Sequence, residues 1–216
     1  MSCYITREMA VAALSKMQKF YVELESLYSR HSLDVNEDMG RRNILMSSLQ
    51  EKYFAEAIAG VFPGTSANGK TGEPDIVIPA LGRELECKLT SKNRSGAWAL
   101  QSDYNTLARK GSVDHLYVLA SDDFNDFAVL FFEGLTVEDF HPPASGSKGK
   151  SRLNWSVAIH KCTAVVGDVD DKSQKYIADS VRTLNQALTS QAREKAQARI
   201  DYWQNRTNMS LGLEKV

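Results

Sequence analysis

The sequence predicts an α/β domain in which helices flank a mixed central β-sheet, and three observations carry that expectation. Apolar residues recur at helical spacing near both ends of the 216-residue chain. Short segments of strand character, DIVIP, RELECKLT, DHLYVLAS and DFAVLFFEGL, lie between those ends. Runs rich in Gly, Pro, Ser and Asn divide the segments from one another.

The first helix is expected from Thr6 to His31, where Met9, Ala13, Met17, Phe20, Leu24 and Leu27 form one stripe. After the polar connector DVNEDMGRR, a second is expected over 43–61, with Leu45, Leu49, Tyr53, Ile58 and Val61 turned inward. The run PGTSANGKTGEP ends it. DIVIP, a turn at Ala80 to Gly82 and RELECKLT then read as a β-hairpin over 75–90. The loop SKNRSG leads into AWALQSDYNTLARKG, expected to be helical up to Gly111, and the apolar segments DHLYVLAS and DFAVLFFEGL are expected as inner strands. HPPASGSKGKSRLNW reads as an exposed loop and SVAIHK as a strand. Residues 172–207 are helical in propensity, with Ile177, Val181, Leu184, Leu188 and Ile200 at helical spacing.

Composition bounds the class. With 43% hydrophobic and 25% charged residues, one core and one domain spanning 1–216 are expected. A net charge of −1 gives no global attraction for a polyanion, so any nucleic-acid surface must be a local basic patch. Cys3, Cys87 and Cys162 are odd in number and far apart, which argues against a disulfide framework and a zinc cluster and suits a reducing cytoplasm. With no basic and apolar leader and no run of about 18 apolar residues, no membrane partner is expected.

The chemistry concentrates in the hairpin. Side chains alternate along a strand, so Glu84, Glu86 and Lys88 share one face while Leu85, Cys87 and Leu89 take the other. Antiparallel pairing brings Asp75 beside Glu86 and Lys88. Two carboxylates held together raise each other's pKa unless a cation lies between them, and oxygen donors beside an ammonium suit Mg²⁺. Water on such an ion attacks phosphorus, so phosphodiester hydrolysis is the reaction expected, with Lys88 either handling the attacking water or stabilising charge on the phosphoryl oxygens. Glu84 reads as a solvated residue, and the plain alternative for Glu86 and Lys88 is an ion pair on a solvated strand.

Pro74-Asp75, ten intervening residues, then Glu86-Cys87-Lys88 resembles the PD-(D/E)xK motif of the restriction-endonuclease-like nucleases, and the resemblance extends over about 45 to 135. It implies that Asp75 and Glu86 are metal ligands, that the backbone carbonyl of Cys87 joins them, and that Lys88 is catalytic. Many members add an acidic residue on the preceding helix. Glu51 in SLQEKYF is favoured for that place over Glu56. The helix expected after the motif strand would project Gln101 and Tyr104.

Several donors are candidates for DNA contact. Ser91, Lys92, Asn93, Arg94, Trp98, Gln101 and Tyr104 follow the catalytic strand, and Lys148, Lys150 and Arg152 lie in the Gly/Ser loop. For both groups the alternative is an ordinary solvated loop. His31, His115, His141 and His160 show no ligand spacing, no GxSxG elbow occurs, and no GxxxxGK[ST] loop is present, so a zinc nuclease, a serine nucleophile and a nucleotide cofactor are not expected.

The resulting expectation is a restriction-endonuclease-like fold with a catalytic core at about 45–165. The activity expected is Mg²⁺-dependent cleavage of double-stranded DNA by a type II restriction enzyme. Such enzymes cut palindromes as homodimers, and the helices at 6–31 and 172–207 are the candidates for packing or for the dimer interface. The alternatives are a repair or junction-resolving nuclease that recognises DNA shape, and a DNA-binding protein without turnover.

Overall fold

The computed structural model describes residues 3–68, 73–93, 96–146, 149–204 and 208–216, and of residue 174 the backbone alone. Its elements are α1 (Arg7–Arg30), α2 (Met39–Ala59), β1 (Ser66–Ala67), β2 (Ile76–Ile78), β3 (Arg83–Thr90), β4 (Gln101–Asp103), α3 (Tyr104–Lys110), β5 (Val113–Ala120), β6 (Asp126–Leu135), β7 (Lys150–Arg152), α4 (Trp155–Ala158), β8 (Cys162–Val166), β9 (Asp168–Asp171), α5 (Lys172–Gln186), α6 (Ser190–Gln204), β10 (Met209–Gly212) and β11 (Glu214–Lys215). The chain is mixed α/β, as expected. Contacts gather it into two compact units, Met1–Gly167 with Leu213–Val216, and Asp168–Gly212, where length suggests one domain.

The first unit is built on a seven-stranded sheet in the order β1-β2-β3-β5-β6, with β8 and β11 both pairing with β6. Its pairs are antiparallel except β3 with β5, so the sheet is mixed. The hairpin turn between β2 and β3 closes on Gly82, whose φ of 60° lies in the left-handed region that a side chain disfavours. β5 is buried at every residue, as a strand covered on both faces must be.

The two faces differ in chemistry. Leu85, Cys87, Leu116 and Val118 meet Leu14, Met17, Met46, Phe54 and Ile58 of α1 and α2 in one apolar core. Each such side chain contributes about 1.5–3 kcal/mol on burial. On the other face His115 and Tyr117 are covered by a two-stranded ribbon of β4 and β7, in which Gln101 opposes Arg152 and Asp103 opposes Lys150. Tyr117 Oη donates to the Gln101 carbonyl at 3.1 Å, and Ser102 Oγ lies 2.9 Å from His115 Nε2. His115 Nδ1 faces the Val113 carbonyl at 3.0 Å, which can only accept, so Nε2 is the acceptor for the Ser102 hydroxyl.

Three expected elements are corrected. α2 begins at Met39, because the Asp38 side chain accepts from the Gly40 and Arg41 N–H groups and makes part of the supposed connector the first helical turn. The helix expected from Ala97 begins only at Tyr104, where Asp103 caps Thr106 N–H at 2.7 Å, and Gln101 lies on a strand. SVAIHK is a turn of helix and a 3₁₀ turn, with the Asn154 carbonyl accepting from Val157 and Ala158, and the strand starts at Cys162.

In the second unit, α5 and α6 pack with Tyr176 stacked on Trp203 at 4.9 Å and with Ala196 and Ile200 buried. The helical region expected at 172–207 thus breaks into two helices, and β9 and β10 pair antiparallel beside them in sequence.

Candidate functional site

β2 and β3 pair as Ile76 with Leu85, Val77 with Glu84 and Ile78 with Arg83, so one further step of the register sets Asp75 against Glu86. Opposed residues share a face. The structure accordingly brings Asp75, Glu86 and Lys88 together. Lys88 Nζ lies 2.5 Å from Glu86 Oε1, 3.7 Å from Asp75 Oδ2 and 3.1 Å from the Cys87 carbonyl. Asp75 Oδ2 also accepts the Cys87 N–H at 2.7 Å, which fixes the carboxylate at the mouth of the hairpin. The Cys87 side chain is buried on the apolar face, as alternation requires.

α2 brings the fourth group. Gln50, fully buried, donates to the carbonyls of Lys88 at 3.4 Å and Leu116 at 3.3 Å and pins the helix across β3 and β5. Its neighbour Glu51 then lies within electrostatic reach of Asp75, Lys88 and Glu86. Glu56 is committed elsewhere, in an exposed ion pair with Lys16 at 2.8 Å. Glu84 pairs with Lys110 at 3.0 Å.

The electrostatics follow from burial and crowding. Burial, then the charge of Asp75, pushes the Glu51 carboxyl up to about 7. Burial also raises Asp75, with Glu86 adding to it and Lys88 and the Cys87 N–H opposing. Burial acts to lower Lys88, but the charges of Glu86 and Asp75 outweigh it and hold the ammonium above its ordinary range.

Among the described residues, no three His, Cys, Asp or Glu side chains stand together as a metal-holding group in the arrangement found. Within the hairpin the Lys88 ammonium itself takes an oxygen of Glu86 and the Cys87 carbonyl. The donor chemistry nevertheless fits Mg²⁺: the side-chain donors are carboxylates, a backbone carbonyl adjoins them, and Glu51 and Asp75 both have raised pKa values that a cation would relieve. Asp75, Glu86, the Cys87 carbonyl and Glu51 are the groups that would hold it once Lys88 yields its partners.

The expected DNA contacts divide. Ser91 is turned inward, bonded by Arg42 Nη2 at 2.5 Å, so its hydroxyl serves the fold. Lys92 lies over the Trp98 ring at 5.7 Å. Asn93 closes its own loop, with Oδ1 accepting from Ala97 N–H at 3.0 Å. Arg94 and Lys148 lie outside the described residues. Tyr104 opens α3, its N–H bonded to the Gly149 carbonyl at 2.9 Å. Gln101 on β4, with the exposed Lys150 and Arg152 on β7, faces away from the inward Ser102 and Ser151.

A cavity of about 440 Å³ adjoins Lys88 and is lined by Thr90, Gln101, Asp103, Tyr117 and Lys150. Two buried residues beside β3 and the loop after it carry no signal in the sequence. Tyr117 sits opposite Lys88 in the parallel register and holds Gln101 over it. Arg42, fully buried, ties the Asp122 carbonyl, Asn36 and Ser91 together against the Phe124 ring. A doubled arginine in a polar stretch carries no sign of burial, and nothing in the spacing marks Tyr117. No family model, no curated protein and no solved structure matches the chain.

Proposed function

We propose that the protein is a Mg²⁺-dependent endonuclease that hydrolyses phosphodiester bonds of double-stranded DNA, acting as a homodimeric, sequence-specific restriction enzyme. The observation that carries this reading is the convergence of Asp75, Glu86 and Lys88 on one face of the β2–β3 hairpin, with Glu51 within electrostatic reach. Bound Mg²⁺ would supply a Lewis acid and a nucleophilic water. Asp75, held by the Cys87 N–H, and Glu86 supply the negative charge that attracts the ion. Lys88 Nζ, which here bonds Glu86 and the Cys87 carbonyl, would on release either donate to a phosphoryl oxygen or handle the attacking water.

A second reading, a DNA-binding protein without turnover, is favoured by the Lys88 ammonium occupying the position between the carboxylates. Incubating supercoiled plasmid and phage DNA with the protein, with Mg²⁺ or with EDTA, separates the two. Discrete Mg²⁺-dependent fragments that disappear in Asp75→Ala support the nuclease. Intact DNA under all conditions overturns it, and random fragments point to recognition of shape rather than sequence.

A further inference from the structure

The β4–β7 ribbon presents a polar face whose composition the hairpin site does not explain. Ser102 and Ser151 point inward and are buried, so the alternation of both strands turns Gln101, Asp103, Lys150 and Arg152 to the opposite side. Two cavities flank the ribbon and share Gln101 and Lys150, the first also lined by Ser102 and the second by Ser151. One, of about 440 Å³, reaches Lys88. The other, of about 480 Å³, continues to His141 and Arg152. Together they outline a trough from the hairpin site across the ribbon.

The ribbon is also held to the catalytic register. Lys88 and Tyr117 are partners in the parallel β3–β5 pair, and Tyr117 Oη bonds the Gln101 carbonyl. Glu86 and His115 are the preceding partners on the same face, and His115 takes the Ser102 hydroxyl. Leu153 N–H to the Leu100 carbonyl at 2.8 Å and Tyr104 N–H to the Gly149 carbonyl at 2.9 Å extend the ribbon beyond its strands. The ribbon backbone is therefore held beside Lys88 through the side chains of Tyr117 and His115.

We infer that this face selects the DNA sequence by entering the major groove, with Gln101 and Arg152 reading base edges beside the cleaved bond. This rests on the nuclease reading. The major groove, about 12 Å wide, admits a two-stranded ribbon, and an amide and a guanidinium are the groups that pair bidentately with adenine and guanine there. Gln101 and Arg152 are directly opposed, so they meet neighbouring base pairs. The Asp103–Lys150 pair lies two residues further along. At about 3.4 Å per residue this matches two base-pair steps of about 3.4 Å. Asp103 spends Oδ1 on capping α3, and its charge favours cytosine amino groups over phosphate at that end.

The test selects binders from a randomised duplex library with the full-length protein in EDTA, and repeats it with Arg152→Ala, Gln101→Ala and Gln101→Glu. Wild type should enrich one motif. Arg152→Ala should lose preference for a G·C pair and Gln101→Ala for the adjacent A·T pair, each by roughly 5- to 150-fold. The remaining positions should be kept. Gln101→Glu should shift that position toward cytosine, an outcome that loss of folding cannot produce. An unchanged motif in all three variants, or binding without any motif, overturns the ribbon's role. Mg²⁺-dependent plasmid cleavage by wild type, measured alongside, shows whether the nuclease reading survives that result.

Discussion

Lys88 and Glu86, two residues apart on β3, bond directly, with Nζ 2.5 Å from Oε1, and the same ammonium lies 3.7 Å from Asp75 Oδ2. The protein thus carries its own cation between carboxylates that would otherwise repel. Lys88→Ala should abolish cleavage and leave DNA binding in place. It should also make the fold more responsive to Mg²⁺, because the carboxylates are then without a counter-charge. Ligand at 100 times its Kd adds about 2.7 kcal/mol. Thermal unfolding against Mg²⁺ concentration measures this, and a Lys88→Ala protein that responds less than wild type contradicts the geometry proposed for the ion.

Asp75 gives a second prediction, with opposite signs for activity and stability. Burial, reinforced by Glu86, raises its folded pKa, so the ionised carboxylate at neutral pH opposes folding. Asp75→Asn keeps an oxygen to accept the Cys87 N–H and removes the charge. Its stability should equal wild type or exceed it by up to about 1 kcal/mol, the usual scale when a functional charge is removed, while cleavage is lost. Denaturant unfolding at pH 7 beside a cleavage assay checks both, and marked destabilisation would show that the carboxylate serves the fold.

What could be read from the sequence, and what could not, follows the range of the physics involved. The hairpin that joins Asp75 to Glu86 and Lys88 was legible because two-residue alternation and a short turn are local. β5 and β6 were legible as apolar runs. Gln101 lies on a strand and not on the helix its sequence predicts, because its segment has no periodic signal and its place depends on Tyr117 Oη and on β7, some 50 residues away in sequence. Arg42 was hidden for the same reason: its burial is decided by Phe124 and by the Asp122 carbonyl, 80 positions on. The preference for Glu51 over Glu56 rests on spacing in the sequence, and the ion pair of Glu56 with Lys16 on another helix is the part that spacing could not show.

Arg42 supports the loop that follows β3. Its guanidinium is buried, burial lowers its pKa, and it satisfies the Asp122 carbonyl, Asn36 and Ser91 at once. Arg42→Met preserves much of the volume against Phe124 but leaves those acceptors without a donor. The expected loss is about 3 kcal/mol, read as a lowered urea midpoint. Arg42→Lys should recover little, since one ammonium cannot reproduce the planar fork. A change under about 0.5 kcal/mol would show that water replaces the guanidinium at no cost.

His115 predicts a pH dependence whose direction is fixed by its tautomer. The ring is buried with Nδ1–H given to the Val113 carbonyl and Nε2 accepting from Ser102, so protonation breaks the bond that holds β4. Burial depresses its folded pKa to about 4, below the ordinary 6.5 of the unfolded chain. Between those values the unfolded state binds the extra proton, so this contribution is complete above about pH 6.5 and is lost as pH falls toward 4. The difference is worth roughly 3 kcal/mol. Glu51 and Asp75, with raised pKa values, act in the opposite sense over part of the same range, so the comparison must isolate the ring. His115→Gln retains one donor and one acceptor and does not titrate. The stability of wild type minus that of His115→Gln should therefore fall by roughly 3 kcal/mol from pH 7 to pH 4. Parallel stability curves for the two proteins would mean that the ring is hydrated and free to protonate in the folded state.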